Sequence, residues 1–210
     1  MGIRPGVASK EHYSFCDYVD AERWRSYWDQ IREVMLVKPR DVLLVGIGDG
    51  LVGAALSQLG CTVRTLDIDP ALQPDYLGSV SELDRTADRS FGVVLCCQVL
   101  EHIPYDCFPA TVEQLRHFTR EHLILSLPYR GHVVAATIRI PKLGKRSMQL
   151  HVPRFWESYR FNGQHYWAVG TRGCSRRQVT RTLTRHFVIE KQFIAAENPF
   201  HLFFRMRPLP

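Results

Sequence analysis

Residues 42–50, VLLVGIGDG, decide the fold of this 210-residue chain. The four apolar residues that open the stretch predict a strand buried on both faces, and residues 51–59 predict the helix that follows. In the turn between them, the missing side chains of Gly46, Gly48 and Gly50 let backbone amides approach a ligand. Because a helix N-terminus also favours a negative group, the stretch predicts a strand–turn–helix unit that binds an anion.

The elements around this unit alternate between strand and helix, which predicts a parallel sheet with helices on both faces. We expect helices over residues 20–37, 109–120 and 175–186, strands over 61–66, 76–80, 91–97, 122–127, 187–194 and 201–206, and a turn at 197–199. In the first helix, Trp24, Trp28, Ile31 and Met35 recur at helical spacing. The tryptophans, with Tyr27, either cover the sheet or close over a bound cation.

The composition excludes several classes of protein. With 45% hydrophobic and 23% charged residues, the chain can form one domain with a single sizeable core. No apolar run approaches the roughly 18 residues that cross a bilayer, and residues 1–10 lack the apolar block of a signal peptide, so we expect a cytoplasmic protein. The six cysteines form no Cys-x-x-Cys pair, and we expect neither a metal site nor a disulfide framework.

Charge is unevenly distributed along the chain. Residues 1–129 hold 12 Lys/Arg and 18 Asp/Glu, whereas residues 130–210 hold 15 Lys/Arg and 3 Asp/Glu. A basic surface of this kind attracts nucleic acid, phosphorylated or carboxylated small molecules, or an acidic membrane face. The alternative is a solvated face that only keeps the protein in solution.

Asp67 ends the second predicted strand, about twenty residues after the glycine turn. In this architecture a carboxylate at that position reaches ribose hydroxyls, so the two features together predict a nucleoside-bearing cofactor. Gly48, Gly50 and Gly53 also satisfy G-x-G-x-x-G, and the turn alone therefore leaves a nicotinamide dinucleotide open.

Three motifs in order resemble those of class I S-adenosylmethionine-dependent methyltransferases, in the small-molecule, type 11-like branch. They are VLLVGIGDG at 42–50, VRTLDIDP at 63–70 and FGVVLCCQVLEHIP at 91–104; HYWAVG at 165–170 and ENPFHLFF at 197–204 extend the resemblance. It implies a doubly wound, Rossmann-like α/β domain with a seven-stranded, mostly parallel sheet and an antiparallel last strand. The segments would be an N-terminal helix (20–38), a cofactor-binding core (40–129), a small insert after the fifth strand (130–170), and a closing helix and strands (171–210).

The resemblance also implies how S-adenosylmethionine would bind. The turn glycines would line its methionine part, Asp67 would bind the ribose hydroxyls, Ile68 would lie beside the adenine, and Gln98 would lie near the methionine or the acceptor. Many members carry an Asp where Gly78-Ser79-Val80 stands here. In this chain the Ser79 hydroxyl, or Glu82, would accept the hydrogen bond from the adenine amino group. Ile47 and Val80 complete the expected cofactor set.

Candidate residues for the acceptor lie after the fourth and fifth strands. His102 and His165 could take a proton from an alcohol or phenol, although each could equally serve packing or capping. Arg130 and Arg154 could clamp a phosphate or carboxylate on the acceptor. Tyr129 and Tyr166 complete the expected acceptor pocket, which this architecture builds beyond the strand ends.

The leading hypothesis is methyl transfer to an oxygen or nitrogen of a small-molecule, glycan or lipid-linked acceptor, including anionic ones. An RNA-modifying methyltransferase would suit the basic C-terminal part. Against it, residues 98–102 read QVLEH in place of the Asn/Asp-Pro-Pro-Tyr/Phe motif of base amino methylation. A cofactor-binding module without turnover and a nicotinamide-dependent oxidoreductase are the remaining alternatives.

Overall fold

A seven-stranded sheet forms the centre of the computed structural model, which describes residues 15–82, 90–141, 144–195 and 197–210. The strands are β1 (Asp41–Val45), β2 (Thr62–Asp67), β3 (Tyr76–Leu77), β4 (Phe91–Cys97), β5 (Thr119–Pro128), β6 (Gly131–Ile140), β7 (Gly144–Pro153), β8 (Phe187–Ala195) and β9 (Asn198–Pro208). The helices are α1 (Phe15–Tyr18), α2 (Ala21–Val37), α3 (Leu51–Gln58), α4 (Phe108–Phe118) and α5 (Arg176–Leu183).

The sheet order is β3-β2-β1-β4-β5-β9-β8, and β1 to β5 run parallel. β9 runs antiparallel to both of its neighbours. The predicted fold class, a mostly parallel seven-stranded sheet with an antiparallel last strand, is confirmed. The turn expected at 197–199 is shorter than predicted: Glu197 is a turn residue, but Asn198 already pairs with Ala195 and begins β9.

Apolar residues alternate along the central strands and divide the core into two layers. On one face, Leu43 and Val45 of β1 pack with residues of α4 and α5. On the other face, Val42 and Leu44 pack with residues of α2 and α3. Since each central strand is covered on both sides, its sequence is a continuous apolar run.

Helix α2 packs on the sheet with only part of the predicted face, since Ile31 and Met35 contact the core but the tryptophans do not. Trp24 and Trp28 are 55% and 54% exposed, whereas Glu33 is 1% exposed. The carboxylate of Glu33 accepts from Lys191 Nζ at 2.5 Å and from Arg205 Nη1 at 3.0 Å. The helical spacing of the tryptophans did not predict the buried side, because Lys191 of β8 and Arg205 of β9 pair with Glu33. These ion pairs turn a polar side of α2 toward the sheet.

Residues 131–153 form a long hairpin of β6 and β7, ten residues in each strand. The sequence predicted only weak periodicity in this insert. The hairpin lies outside the main sheet, so the alternation of apolar and polar residues along it is not reinforced by a buried face.

Among the described residues, no helix is long and apolar enough to cross a membrane.

Replacing Glu33 tests whether its ion pairs hold α2 on the sheet. We expect Glu33→Gln to lower the free energy of unfolding by about 2–3 kcal/mol, because two cations then lose their buried carboxylate. Glu197→Gln is the matched control, since Glu197 is 42% exposed and 3.9 Å from Arg25, and it should cost less than about 1 kcal/mol. Urea denaturation measures both, and equal effects would contradict the role of Glu33.

Candidate active site

The carboxyl ends of β1, β2, β4 and β5 meet at one edge of the sheet, where ligands bind in open α/β folds. Gly46 leaves β1 with a φ of 80°. A Cβ built on it would lie 2.6 Å from Val99 Cγ2, so the turn is pressed against the segment that follows β4. Gly48 and Gly50 also have positive φ, and a Cβ on either would meet no atom within 4 Å. The glycine turn therefore exposes its backbone on an open side.

Asp67 fastens the end of β2 to the glycine turn. Its Oδ2 accepts from the Ile47 N–H at 2.7 Å, and its Oδ1 accepts from the Asp69 N–H at 2.9 Å. A carboxylate offers about four acceptor positions, so both oxygens keep capacity for a ligand. Beside it, Ile68 is 39% exposed and available to an aromatic ring.

The residues expected at the adenine lie after β3. The Ser79 hydroxyl is already in a hydrogen bond with the Ser81 hydroxyl at 2.8 Å. Val80 is buried in the core beneath this segment. If Ser79 accepts a hydrogen bond from an adenine amino group, its hydroxyl therefore has to share that role with its hydrogen bond to Ser81.

Helix α2 reaches the glycine turn through Tyr27, a contact that the sequence did not predict. The Tyr27 hydroxyl donates to Asp49 Oδ2 at 2.5 Å, and Asp49 Oδ1 accepts from the Leu51 N–H at 3.1 Å. Burial, reinforced by Asp49, raises the pKa of Tyr27 well above its usual range. Of the three aromatic residues considered for the site, Tyr27 reaches the turn, whereas Trp24 and Trp28 lie exposed.

Gln98 leaves β4 in the left-handed region, with a φ of 55°. Its N–H donates to the Ser126 carbonyl at 3.1 Å, and its Nε2 donates to the Ser126 hydroxyl at 3.1 Å. These bonds direct the chain across the end of β5 before residues 100–102 turn.

The structure brings His102 and His165 together. Their ring centroids are 4.8 Å apart, edge to face. Burial lowers the pKa of both, and for His165 burial together with His102 lowers it to about 4. His102 Nδ1 lies 3.1 Å from the Gln164 carbonyl, which can only accept. A neutral His102 that donates to this carbonyl carries its proton on Nδ1, and the backbone of Gln98 also contacts the ring.

Glu101 is the residue of this site that the sequence analysis missed. It is fully buried, burial raises its pKa to about 8, and neither carboxyl oxygen has a hydrogen-bond partner among the described residues. A carboxyl oxygen of Glu101 and a ring nitrogen each of His102 and His165 lie within 4.8 Å of one another. Such a group suits proton transfer, and its residue types also bind cations, although the sequence predicted no metal site.

The HYWAVG segment packs back onto the exit of β4. The Tyr166 N–H donates to the Glu101 carbonyl at 2.8 Å, and Trp167 Nε1 donates to the Ile103 carbonyl at 2.9 Å. Tyr166 also packs on Phe161, with ring centroids 4.5 Å apart. The end of the insert is thus fixed beside His102.

Both arginines expected to clamp an acceptor are paired with one carboxylate. Arg130 Nη2 lies 3.0 Å from Glu157 Oε1, and Arg154 Nη1 lies 3.2 Å from Glu157 Oε2. Arg154, with Arg130 contributing, lowers the pKa of Glu157. Tyr129 is buried beneath His151, whose ring stacks on it at 3.9 Å.

A cavity of about 350 Å³ opens beside these arginines; its lining residues are Arg130, Glu157, Ser158, Tyr159, Arg160 and Asn162. Asn162 connects the cavity to the histidine pair, since its Oδ1 accepts from the His165 N–H at 2.7 Å. The charged groups at the cavity are therefore three cations, Arg130, Arg154 and Arg160, and one anion, Glu157.

Relatives among characterised proteins match part of the chain. It is 36% identical over 77 residues to the ubiquinone biosynthesis O-methyltransferase of Xanthomonas campestris pv. campestris, and 35% identical over 77 residues to that of Xanthomonas oryzae pv. oryzae. Each match covers 30% of this chain and 32% of the relative. The chain thus matches about a third of the length of these relatives, and no family model matches it.

Solved structures resemble nearly the whole chain. The N-methyltransferase NodS from Bradyrhizobium japonicum WM9, in complex with S-adenosylhomocysteine, is 11% identical with a TM-score of 0.59 over 91% of this chain and 89% of that one. The magnesium protoporphyrin IX methyltransferase from Synechocystis PCC 6803, with S-adenosylmethionine bound, is 16% identical with a TM-score of 0.58 over 89% and 79%. The chain has the Rossmann-like fold of class I S-adenosylmethionine-dependent methyltransferases.

The lowered pKa of His165 predicts how stability depends on pH. Between about 4 and the ordinary value near 6.5, the unfolded chain binds more protons at this residue than the folded chain. The free energy of unfolding should therefore fall as the pH drops through this range, by about 1 kcal/mol after allowance for solvent screening. Nuclear magnetic resonance titration of the ring should place its pKa near 4, and a value near 6.5 would contradict the prediction. His165→Gln should make the free energy of unfolding depend less steeply on pH. The remaining dependence should come from His201, because burial lowers its pKa to about 4 as well.

Proposed function

We propose that this protein is an S-adenosylmethionine-dependent methyltransferase that methylates a hydroxyl group of a small molecule. The observation that carries the proposal is the joining of the open glycine turn to Asp67 at the sheet edge. The N–H groups of Gly46, Ile47, Gly50 and Leu51 are already bonded within the protein, which leaves those of Gly48 and Asp49 for a ligand beside the N-terminus of α3. Asp67 keeps free acceptor positions.

The residues present fit the cofactor. Gly48 and Gly50 leave room for its methionine part, whose carboxylate would face the N-terminus of α3, and Gly46 lets the turn pack against Val99. Asp67 would accept from the ribose hydroxyls, and Ile68 would cover the adenine. The bond from Tyr27 to Asp49 would fix the turn in its binding conformation. When bound, S-adenosylmethionine supplies a methyl group that its sulfonium already activates.

His102 is our candidate for the proton acceptor. The Gln164 carbonyl orients its ring, and Nε2 would take a proton from the acceptor hydroxyl. His165, held neutral by burial, packs against it and would limit water access. Glu101 lies beneath both rings as a neutral carboxyl near pH 7, so it would not hold the proton on His102 as a carboxylate would.

The choice of an oxygen acceptor rests on the relatives that share sequence with this chain, which are named O-methyltransferases. The named structural neighbours include N-methyltransferases, at much lower identity. We assign the acceptor to the cavity beside Arg130, where Arg130 and Arg154 would gain an anionic group by exchanging Glu157 for it. A glycan or lipid-linked acceptor is compatible with the same cavity, whereas RNA methylation has no further support.

Replacing Asp67 tests cofactor binding directly. We expect Asp67→Asn to weaken the binding of S-adenosylhomocysteine about 10- to 100-fold, because a charged acceptor of the ribose hydroxyls is lost. Asp41→Asn is the control: Asp41 begins β1 at the opposite edge of the sheet, where it pairs with Arg120. Calorimetry measures both variants. Binding of NAD by the wild-type protein in place of S-adenosylhomocysteine would overturn the proposal.

Replacing the two histidines tests catalysis. With the first phenol, catechol or hydroxybenzoate that gives turnover, His102→Gln should lower kcat by about 10²–10⁴-fold and leave S-adenosylhomocysteine affinity unchanged. His165→Gln should lower kcat less, since this ring does not hold the lone pair that accepts the proton. The kcat of the wild-type enzyme should decrease only below pH 6.5, where His102 becomes protonated, because burial lowers the pKa of His102.

The same assay distinguishes a proton acceptor from a cation site. Activity should persist after dialysis against a chelator, since the proposed role of His102 uses no metal. Loss of activity that Mg²⁺ or Zn²⁺ restores would instead make Glu101, His102 and His165 ligands. Cofactor binding without turnover across the whole acceptor panel would favour a non-catalytic module.

A further inference from the structure

The hairpin of β6 and β7 presents an apolar face to solvent. Direct cross-strand partners share a face, and Val134 pairs with Leu150 while Ala136 pairs with Met148. Val134, Leu150 and Met148 are 70%, 64% and 75% exposed. Ile138 and Val152 continue the same face and are 59% and 41% exposed. We call these five side chains the hairpin face.

The opposite side of the hairpin contacts the rest of the protein. His151 stacks on Tyr129, and Gln149 Nε2 donates to the Ala195 carbonyl at 3.3 Å. Successive side chains of a strand point to opposite faces. The hairpin face is therefore directed away from the main sheet and is not covered by any described residue of this chain.

Aromatic side chains extend the hairpin face at its base. The Trp156 ring stacks on His132, with centroids 6.2 Å apart, and His132 alternates in register with Val134 on this face. Trp156 and its neighbour Phe155 are 56% and 67% exposed. Such rings are enriched where an apolar surface meets water, as at the interface of a lipid bilayer.

Charge distinguishes the occupants that could cover this face. Residues 139–146 contain four Lys and Arg and no Asp or Glu, whereas Arg130 and Arg154 are already paired with Glu157. Arg139 is exposed near the end of β6, on the side of the strand opposite to Ile138, and adds to the positive charge of this end of the hairpin. A second copy of the hairpin would bring no carboxylate to these cations, whereas anionic lipid headgroups would complement them.

We propose that the hairpin face docks on an anionic membrane surface, with its aliphatic and aromatic side chains at the headgroup boundary and the surrounding cations on lipid phosphates. The binding is peripheral and reversible, since it combines a limited apolar area with electrostatic attraction. The proposal concerns where the protein acts and holds whether or not the protein transfers methyl groups.

Sedimentation with vesicles tests the proposal on the full chain without any cofactor. The wild-type protein should bind vesicles of phosphatidylcholine with about 30% phosphatidylglycerol, and binding should weaken as salt screens the cations. The double variant Met148→Asp and Leu150→Asp should bind at least tenfold more weakly, because two apolar contacts are lost and two negative charges are added. Arg139→Glu should also weaken binding while leaving the apolar contacts in place.

Val188→Asp is the matched control. Val188 is 47% exposed on β8 in the main sheet, and its replacement should leave vesicle binding within twofold of wild type. Thermal unfolding of each variant shows that the chain is folded, and S-adenosylhomocysteine affinity reports separately on the cofactor site.

Three results would overturn the proposal. The wild-type protein could fail to bind anionic vesicles, or the hairpin variants could bind as well as the control. The third result is a concentration-dependent dimer that the Met148→Asp and Leu150→Asp variant abolishes, without vesicle binding by the wild-type protein. That outcome would assign the face to a second copy of this chain.

Discussion

The hydrogen bond from the Ile47 N–H to Asp67 Oδ2 is the constraint on which the candidate cofactor site depends. It joins two adjacent parallel strands at the points where they leave the sheet, and it uses one carboxylate both to hold the turn and to face a ligand. Tyr27 adds a second tie from α2 through Asp49. Because the turn is held before any ligand arrives, a bound nucleoside would not need to order it.

The second half of the site depends on contacts between distant segments. Tyr166 and Trp167 bond to carbonyls at the exit of β4, more than sixty residues earlier in the chain. These bonds hold His165 against His102, and Glu101 is buried beside the two rings. A buried carboxyl without a partner is costly in a folded protein, and such groups are concentrated at functional sites. The cluster is therefore the part of the site to which we assign proton transfer in the proposed function.

Some elements could be predicted because their residues report a local constraint. The apolar run before Gly46 can only be a buried strand, and Ser175 begins a helix with a capping box to Gln178, as its position predicted. The face of α2 could not be predicted, since its polar side is buried only because Lys191 and Arg205 stand opposite Glu33. The hairpin was missed because the alternating apolar residues of β6 and β7 face solvent.

The sequence by itself determined the order of the helices and of the strands in the main sheet, the glycine turn and the acidic end of β2. Each of these follows from backbone geometry and side-chain polarity within a few residues. Only the tertiary structure decided which histidines meet, that Glu157 neutralises part of the charge of Arg130 and Arg154, and that Tyr27 in place of the tryptophans reaches the turn. These contacts join residues that lie from a few to more than sixty positions apart, and their partners are chosen by packing of the whole chain, which no local pattern encodes.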